Sequence, residues 1–156
     1  GGENPRGMHA VRVLDGQKGF TKDSLIAAAF DSYQPEFAAQ LPLLIRDYDR
    51  LPASSPLKAK LADPVKALRD WDYRWSLTSV PNSVATFWGE EAWRLCAPAA
   101  RAANATVYEY LRTRATAEQR LTALATAVDT LAAGFGRWDT PWGEINRFQR
   151  LTGDIV

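Results

Sequence analysis

The chain has 156 residues, 46% hydrophobic and 24% charged, the values of an ordinary soluble globular domain, which excludes disordered and fibrous classes. Its formal net charge is +1, with Lys and Arg dispersed among Asp and Glu, so nothing points to a phosphate-binding surface or a nucleic acid partner. No apolar run approaches the roughly 20 residues that cross a bilayer, and Gly1-Gly2-Glu3-Asn4 lacks both regions of a signal peptide, so no membrane contact is expected.

The first predicted element is a helix capped by Asn4, with Pro5 in its first position and Arg6 in its first turn. A cation there is disfavoured by the helix dipole, a mismatch that hints at another task for Arg6. Thr21 is the expected cap of a second helix, whose stripe is Leu25, Ile26, Ala29, Phe30 and Tyr33. Phe37, Leu41, Leu44, Ile45 and Tyr48 form a further stripe, which Pro42 is expected to bend or restart. Ser55-Pro56 and Asp63-Pro64 each place a capping side chain before proline, predicting two short helices between Pro56 and Trp71. Val80-Pro81-Asn82-Ser83 reads as a turn. Val84, Phe87, Trp88, Ala92, Leu95 and Cys96 then recur at helical spacing up to Pro98, and another helix runs through Val107 and Leu111. The clearest stripe is Leu121, Leu124, Ala125, Val128, Leu131, Ala132 and Phe135, preceded by Thr116 and Gln119 in capping-box spacing and followed by stopping points at Gly134 and Gly136. No strand-like alternation is sustained, so the expected fold is mainly α, a single irregular multi-helix domain over residues 1–156.

Catalytic hardware is sparse. His9 is the sole histidine, so any serine or cysteine pairing with an imidazole must use it. Cys96 is also alone, which excludes an intrachain disulfide, and it lies on a predicted buried stripe, where a thiol acts as a small apolar group. One histidine and one cysteine are too few for a zinc site, so no metal is expected. Glu90 and Glu91 diverge on a helix and read as a solvated face. Asp70 and Asp72 flank Trp71 and read as caps or partners of Arg69 and Arg74. The clustered Trp71, Trp75, Trp88 and Trp93 suit either a core or a ligand pocket, with helical spacing favouring the core.

Asn4-Pro5-Arg6-Gly7, followed by Val11-Arg12-Val13-Leu14 and Phe20-Thr21-Lys22-Asp23-Ser24-Leu25, resembles the penicillin acylase family of N-terminal nucleophile hydrolases, which includes acyl-homoserine lactone acylases. Leu68-Arg69-Asp70-Trp71-Asp72, Phe87-Trp88-Gly89-Glu90-Glu91 and Thr140-Pro141-Trp142-Gly143-Glu144-Ile145-Asn146-Arg147-Phe148 look like the same region of that family's large β subunit, in order along nearly the whole chain. The resemblance implies a helical segment of a larger αββα-type enzyme that cleaves amide bonds. That enzyme uses an N-terminal serine, its own α-amino group as base, and an oxyanion hole of an asparagine side chain and backbone N–H groups. By the same resemblance, this segment holds neither the serine nor the asparagine, requires no cofactor, and has the α subunit and the rest of the β subunit as partners. The parent is then expected to be periplasmic or secreted. Arg6 matches an arginine that helps position the catalytic groups, since it precedes Arg12 by the interval of the corresponding basic pair.

The expectation is therefore a scaffold segment, inactive alone and prone to self-association through faces that the rest of the enzyme would cover. Gly1 offers no side-chain nucleophile, and Leu151-Thr152-Gly153-Asp154-Ile155-Val156 stops on apolar residues, which favours a segment over the alternative of a freestanding helical interaction module. A small enzyme pairing His9 with an acidic partner is a third reading.

Overall fold

In the computed structural model, residues 4–147 are described; Gly1, Phe148 and the run 151–156 lie outside that range. The described chain forms α1 (Pro5–Asp15), α2 (Lys22–Ala29), α3 (Pro35–Asp49), α4 (Pro56–Lys60), α5 (Ala62–Arg69), α6 (Val80–Ala102), α7 (Val107–Thr113), α8 (Ala117–Phe135) and α9 (Trp142–Ile145). It is mainly helical. Among the described residues the extended pairing is limited to one isolated antiparallel bridge, between Tyr33 and Arg74.

Short-range hydrogen bonds set many of the helix starts. The Asn4, Thr21, Ser79, Thr106 and Thr116 side chains each accept from a backbone N–H in the first turn. At Thr21 and Thr116 the bond is reciprocated by Ser24 and Gln119, completing capping boxes. Gly136 ends α8 in the left-handed region at φ 80°, where its N–H donates to the Ala132 carbonyl.

Two prolines expected to interrupt helices do not. Pro42 lies inside a continuous α3 and Pro98 inside a continuous α6. Both are exposed, so the carbonyl that each deprives of a donor lies toward the solvent side, where the loss is tolerated. The predicted turn at Val80–Ser83 is also corrected: it is the first turn of α6, because Ser79 caps it and Pro81 occupies a position needing no N–H. Asp63 is not a cap, since α5 already begins at Ala62.

The core lies where α6 packs along α8, with α3, α5 and α7 closing around them. Leu41, Leu44, Leu61, Leu68, Val84, Trp88, Leu124 and Leu131 are almost fully buried. Each such side chain contributes about 1.5–3 kcal/mol relative to exposure. Cys96 belongs to this cluster, as its stripe predicted. Phe135 does not: it is 42% exposed and meets Phe87 edge to face.

The α2 stripe also departs from the expectation. Its cap is correct, but Leu25, Ile26 and Phe30 are exposed, Phe30 by 80%, and the helix ends before Phe30. Amphipathic spacing establishes that a face is apolar; it does not supply the surface that buries it.

Candidate functional site

Arg6 stands on the exposed first turn of α1, which is fixed by the 2.9 Å bond from the Gly7 N–H to the Asn4 side-chain oxygen. Among the described residues Arg6 has no carboxylate partner. It borders two concavities. One is a cavity of about 570 Å³ between α1, α3, α6 and α7, whose lining includes His9, Tyr33, Gln40, Trp88 and Trp93. The other, of about 320 Å³, lies between α1 and α2 against Val13, Leu14, Leu25 and Ala28.

A polar cluster fastens α1 to the body. His9 Nε2 lies 2.8 Å from Asp31 Oδ1, the Tyr33 N–H donates to the same oxygen at 3.0 Å, and Arg74 donates to Asp31 Oδ2 at 2.8 Å. The His9 bond, followed by that from Arg74, holds the Asp31 carboxyl well below the usual carboxylate range. One turn after His9, the Arg12 guanidinium lies 3.7 Å from the centre of the Tyr33 ring. Sequence reading singled out His9 and left its partner open; the partner is Asp31, which no local spacing pointed to.

The remaining candidates are dispersed. Among the described residues no hydroxyl or thiol bonds to His9. Cys96 is buried, and desolvation pushes its thiol pKa up. Among the described residues no group of three or more His, Cys, Asp or Glu could hold a metal ion. Glu91 pairs with Arg94 at 2.8 Å, while Glu90 is exposed at the cavity margin. Asp70 pairs with Lys66 rather than Arg69, Arg69 reaches Asp49, and Asp72 accepts from the Arg74 backbone N–H. The tryptophans divide by burial. Trp71 and Trp88 are core, their indoles donating to the carbonyls of Arg74 and Arg120, whereas Trp75 and Trp93 are exposed by nearly half.

The Thr140–Arg147 stretch, prominent in the sequence, is structural. Thr140 is buried and donates to the Arg137 carbonyl at 2.9 Å. The N–H groups of Trp142 and Gly143 donate to the carbonyls of Ser79 and Leu77 at 3.1 and 2.8 Å, tying α9 to the entry of α6. A Cβ on Gly143 would stand 2.9 Å from the Leu77 oxygen, so the close approach requires glycine.

None of the described helices is long and apolar enough to cross a membrane. The family model described as penicillin amidase matches residues 2–153. No curated protein and no solved structure matches the chain. With the match extending over nearly its whole length, the chain belongs to the penicillin amidase family.

Proposed function

We propose that this chain is a helical scaffold segment of an amidohydrolase of the penicillin acylase type, and that it presents Arg6 to a reacting centre built by the rest of that enzyme. The family match over residues 2–153 carries the reading. In it, the parent is an αββα enzyme that cleaves N-acyl amides by acyl transfer to an N-terminal serine. The serine, its α-amino base and the oxyanion asparagine lie in other parts of the acylase, so the isolated chain is inactive. Periplasmic or secreted location of the parent belongs to the same proposal.

The geometry around Arg6 supports the assigned role. Its guanidinium sits on a capped helix turn, free of carboxylate partners among the described residues and bordering two concavities. A guanidinium holds carbonyl groups through several N–H donors without titrating near neutral pH. Val11, Leu14, Leu25, Ile26 and Phe30 lie exposed on and beside α1 and α2, an apolar surface suited to the α subunit or the remaining β subunit.

The test is substitution in the complete acylase. Arg6→Ala is expected to lower kcat about 10–100-fold with a smaller change in KM, and Arg6→Lys to recover part of it, because a positioning contact acts mainly in the transition state. Unchanged kcat and KM in Arg6→Ala would remove Arg6 from the site.

A further inference from the structure

Within the described residues no residue of α1 is buried, and Val11 and Leu14 are exposed. An apolar face that meets no core contributes little to docking, so other contacts must place this helix. The directional ones run along the side that carries His9 and Arg12: the imidazole bonds to Asp31, and the guanidinium covers the Tyr33 ring. An ionised carboxylate only accepts, so His9 Nε2 carries the proton of that bond.

Asp31 is itself held from behind. Arg74 donates to Oδ2 and the Tyr33 N–H to Oδ1, so the carboxylate cannot turn away from His9 without giving up a further bond. Arg74 follows Tyr73, whose φ of 60° lies in the left-handed region that a bulky aromatic residue rarely adopts. The turn is pinned at three points. The Gln34 N–H donates to the Tyr73 carbonyl at 2.8 Å, the Trp75 N–H to the Ser32 carbonyl at 3.1 Å, and the Trp71 indole to the Arg74 carbonyl at 2.8 Å. Strain of this kind persists where the surroundings over-determine it, and here it fixes Arg74 beside Asp31.

Arg6 stands three positions before His9, so the two side chains lie one turn apart on the same side of α1, and both border the two concavities. A shift of His9 is carried by the helix to Arg6. Released from the body, a helix of 11 residues is too short to persist in water, so losing the contact at Asp31 disorders the turn that presents Arg6.

We propose that Asp31 is a positioning residue: by holding His9 it latches α1 to the body and sets where Arg6 stands, a role that rests on the assignment of Arg6 to the acylase site.

Backbone ¹⁵N relaxation of the 156-residue chain tests the latch, and kinetics of the complete acylase in which the proposed function places it test the consequence. In Asp31→Asn the amide order parameters of α1 are expected to fall from about 0.85 toward about 0.6, with those of α6 and α8 unchanged. His9→Gln keeps an N–H near the position of Nε2 and should retain the order of α1, whereas His9→Leu, of similar bulk, should lose it. Should Asp31→Asn not fold, Arg74→Gln, at a half-exposed position, is the second probe, with a smaller fall confined to α1. In the acylase, Asp31→Asn should lower kcat about 3–10-fold with little change in KM, and should have no further effect in an Arg6→Ala background.

Undiminished order of α1 in Asp31→Asn or Arg74→Gln, or equal loss in His9→Gln and His9→Leu, would overturn the latch whatever the kinetics show. Unchanged kcat in Asp31→Asn, or equal losses with and without Arg6→Ala, would overturn the positioning role while leaving Arg6 in the site. Unchanged kcat in Arg6→Ala would instead remove the assignment on which the role rests.

Discussion

Arg120 on α8 and Asp47 on α3 form a buried ion pair, with Nε to Oδ2 at 2.7 Å and side chains only 7% and 4% exposed. The same guanidinium donates to the carbonyls of Leu111 and Ala115, at 3.3 and 2.8 Å, closing the end of α7. The Arg120 carbonyl in turn accepts the Trp88 indole N–H at 3.1 Å. One residue thereby joins α3, α6, α7 and α8.

Removing Arg120 leaves the buried Asp47 carboxylate with only the half-exposed Arg46, at 3.7 Å, and removing Asp47 leaves the Arg120 charge buried with carbonyl acceptors alone. Arg120→Ala is expected to destabilise the chain by about 3–5 kcal/mol, and Asp47→Ala comparably, in denaturant unfolding. The double variant Asp47→Leu/Arg120→Met should lose much less than the two single effects combined, because it removes both charges at once. Additive losses would show that the pair is not coupled.

The Asp31 cluster makes stability depend on acid. Its folded carboxyl pKa is depressed by the His9 bond and then by Arg74, so its contribution is present above the unfolded carboxylate value of about 4 and is lost as pH falls toward the folded value. Asp31→Asn should therefore lower Tm most near neutral pH, and the gap to the parent chain should close as pH drops below about 4. A gap that stays constant from neutral to acid pH would mean that Asp31 carries no linked protonation.

At Gly143 the constraint is steric. Alanine there places a Cβ against the Leu77 backbone oxygen, which belongs to the connection entering α6 and has no flexible end to move. Gly143→Ala should cost about 1–3 kcal/mol and increase hydrogen exchange at the Trp142 and Gly143 amides. Wild-type protection in the variant would contradict the close approach.

The apolar surface of α1 and α2 has a consequence in solution. With Val11 63% and Phe30 80% exposed, the chain on its own should associate into dimers or larger species as concentration rises. Sedimentation analysis checks this: Phe30→Ser together with Val11→Ser should shift the distribution toward monomer, whereas a monomer at every concentration would count against an uncovered interface.

How much was legible depended on the range of the interactions. Asn4, Thr21 and Thr116 were readable as caps because each bond spans three positions. The stripe on α8 was readable over most of its length, since burial there follows helical periodicity, although Phe135 escapes the core at the helix end. Pro81 and Pro98 misled because proline reports a missing N–H, not whether that N–H was needed or whether solvent can serve the freed carbonyl. Arg120 was illegible: a lone cation on a helix reads as solvated, and its partner is 73 positions away. His9 and Asp31 are 22 positions apart, so their meeting depends on the path between α1 and α3. The role proposed for Arg6 rests on resemblance; local pattern alone makes it a misplaced first-turn cation.

Amide hydrolysis measured side by side on the 156-residue chain and on the complete acylase in which the proposal places it, with a chromogenic N-acyl anilide, tests the central claim most directly. The scaffold account predicts turnover by the complete enzyme, reduced by Arg6→Ala, and none above background by the chain alone. Turnover by the isolated chain that disappears in His9→Ala would contradict it and make the His9–Asp31 pair the centre of a separate enzyme.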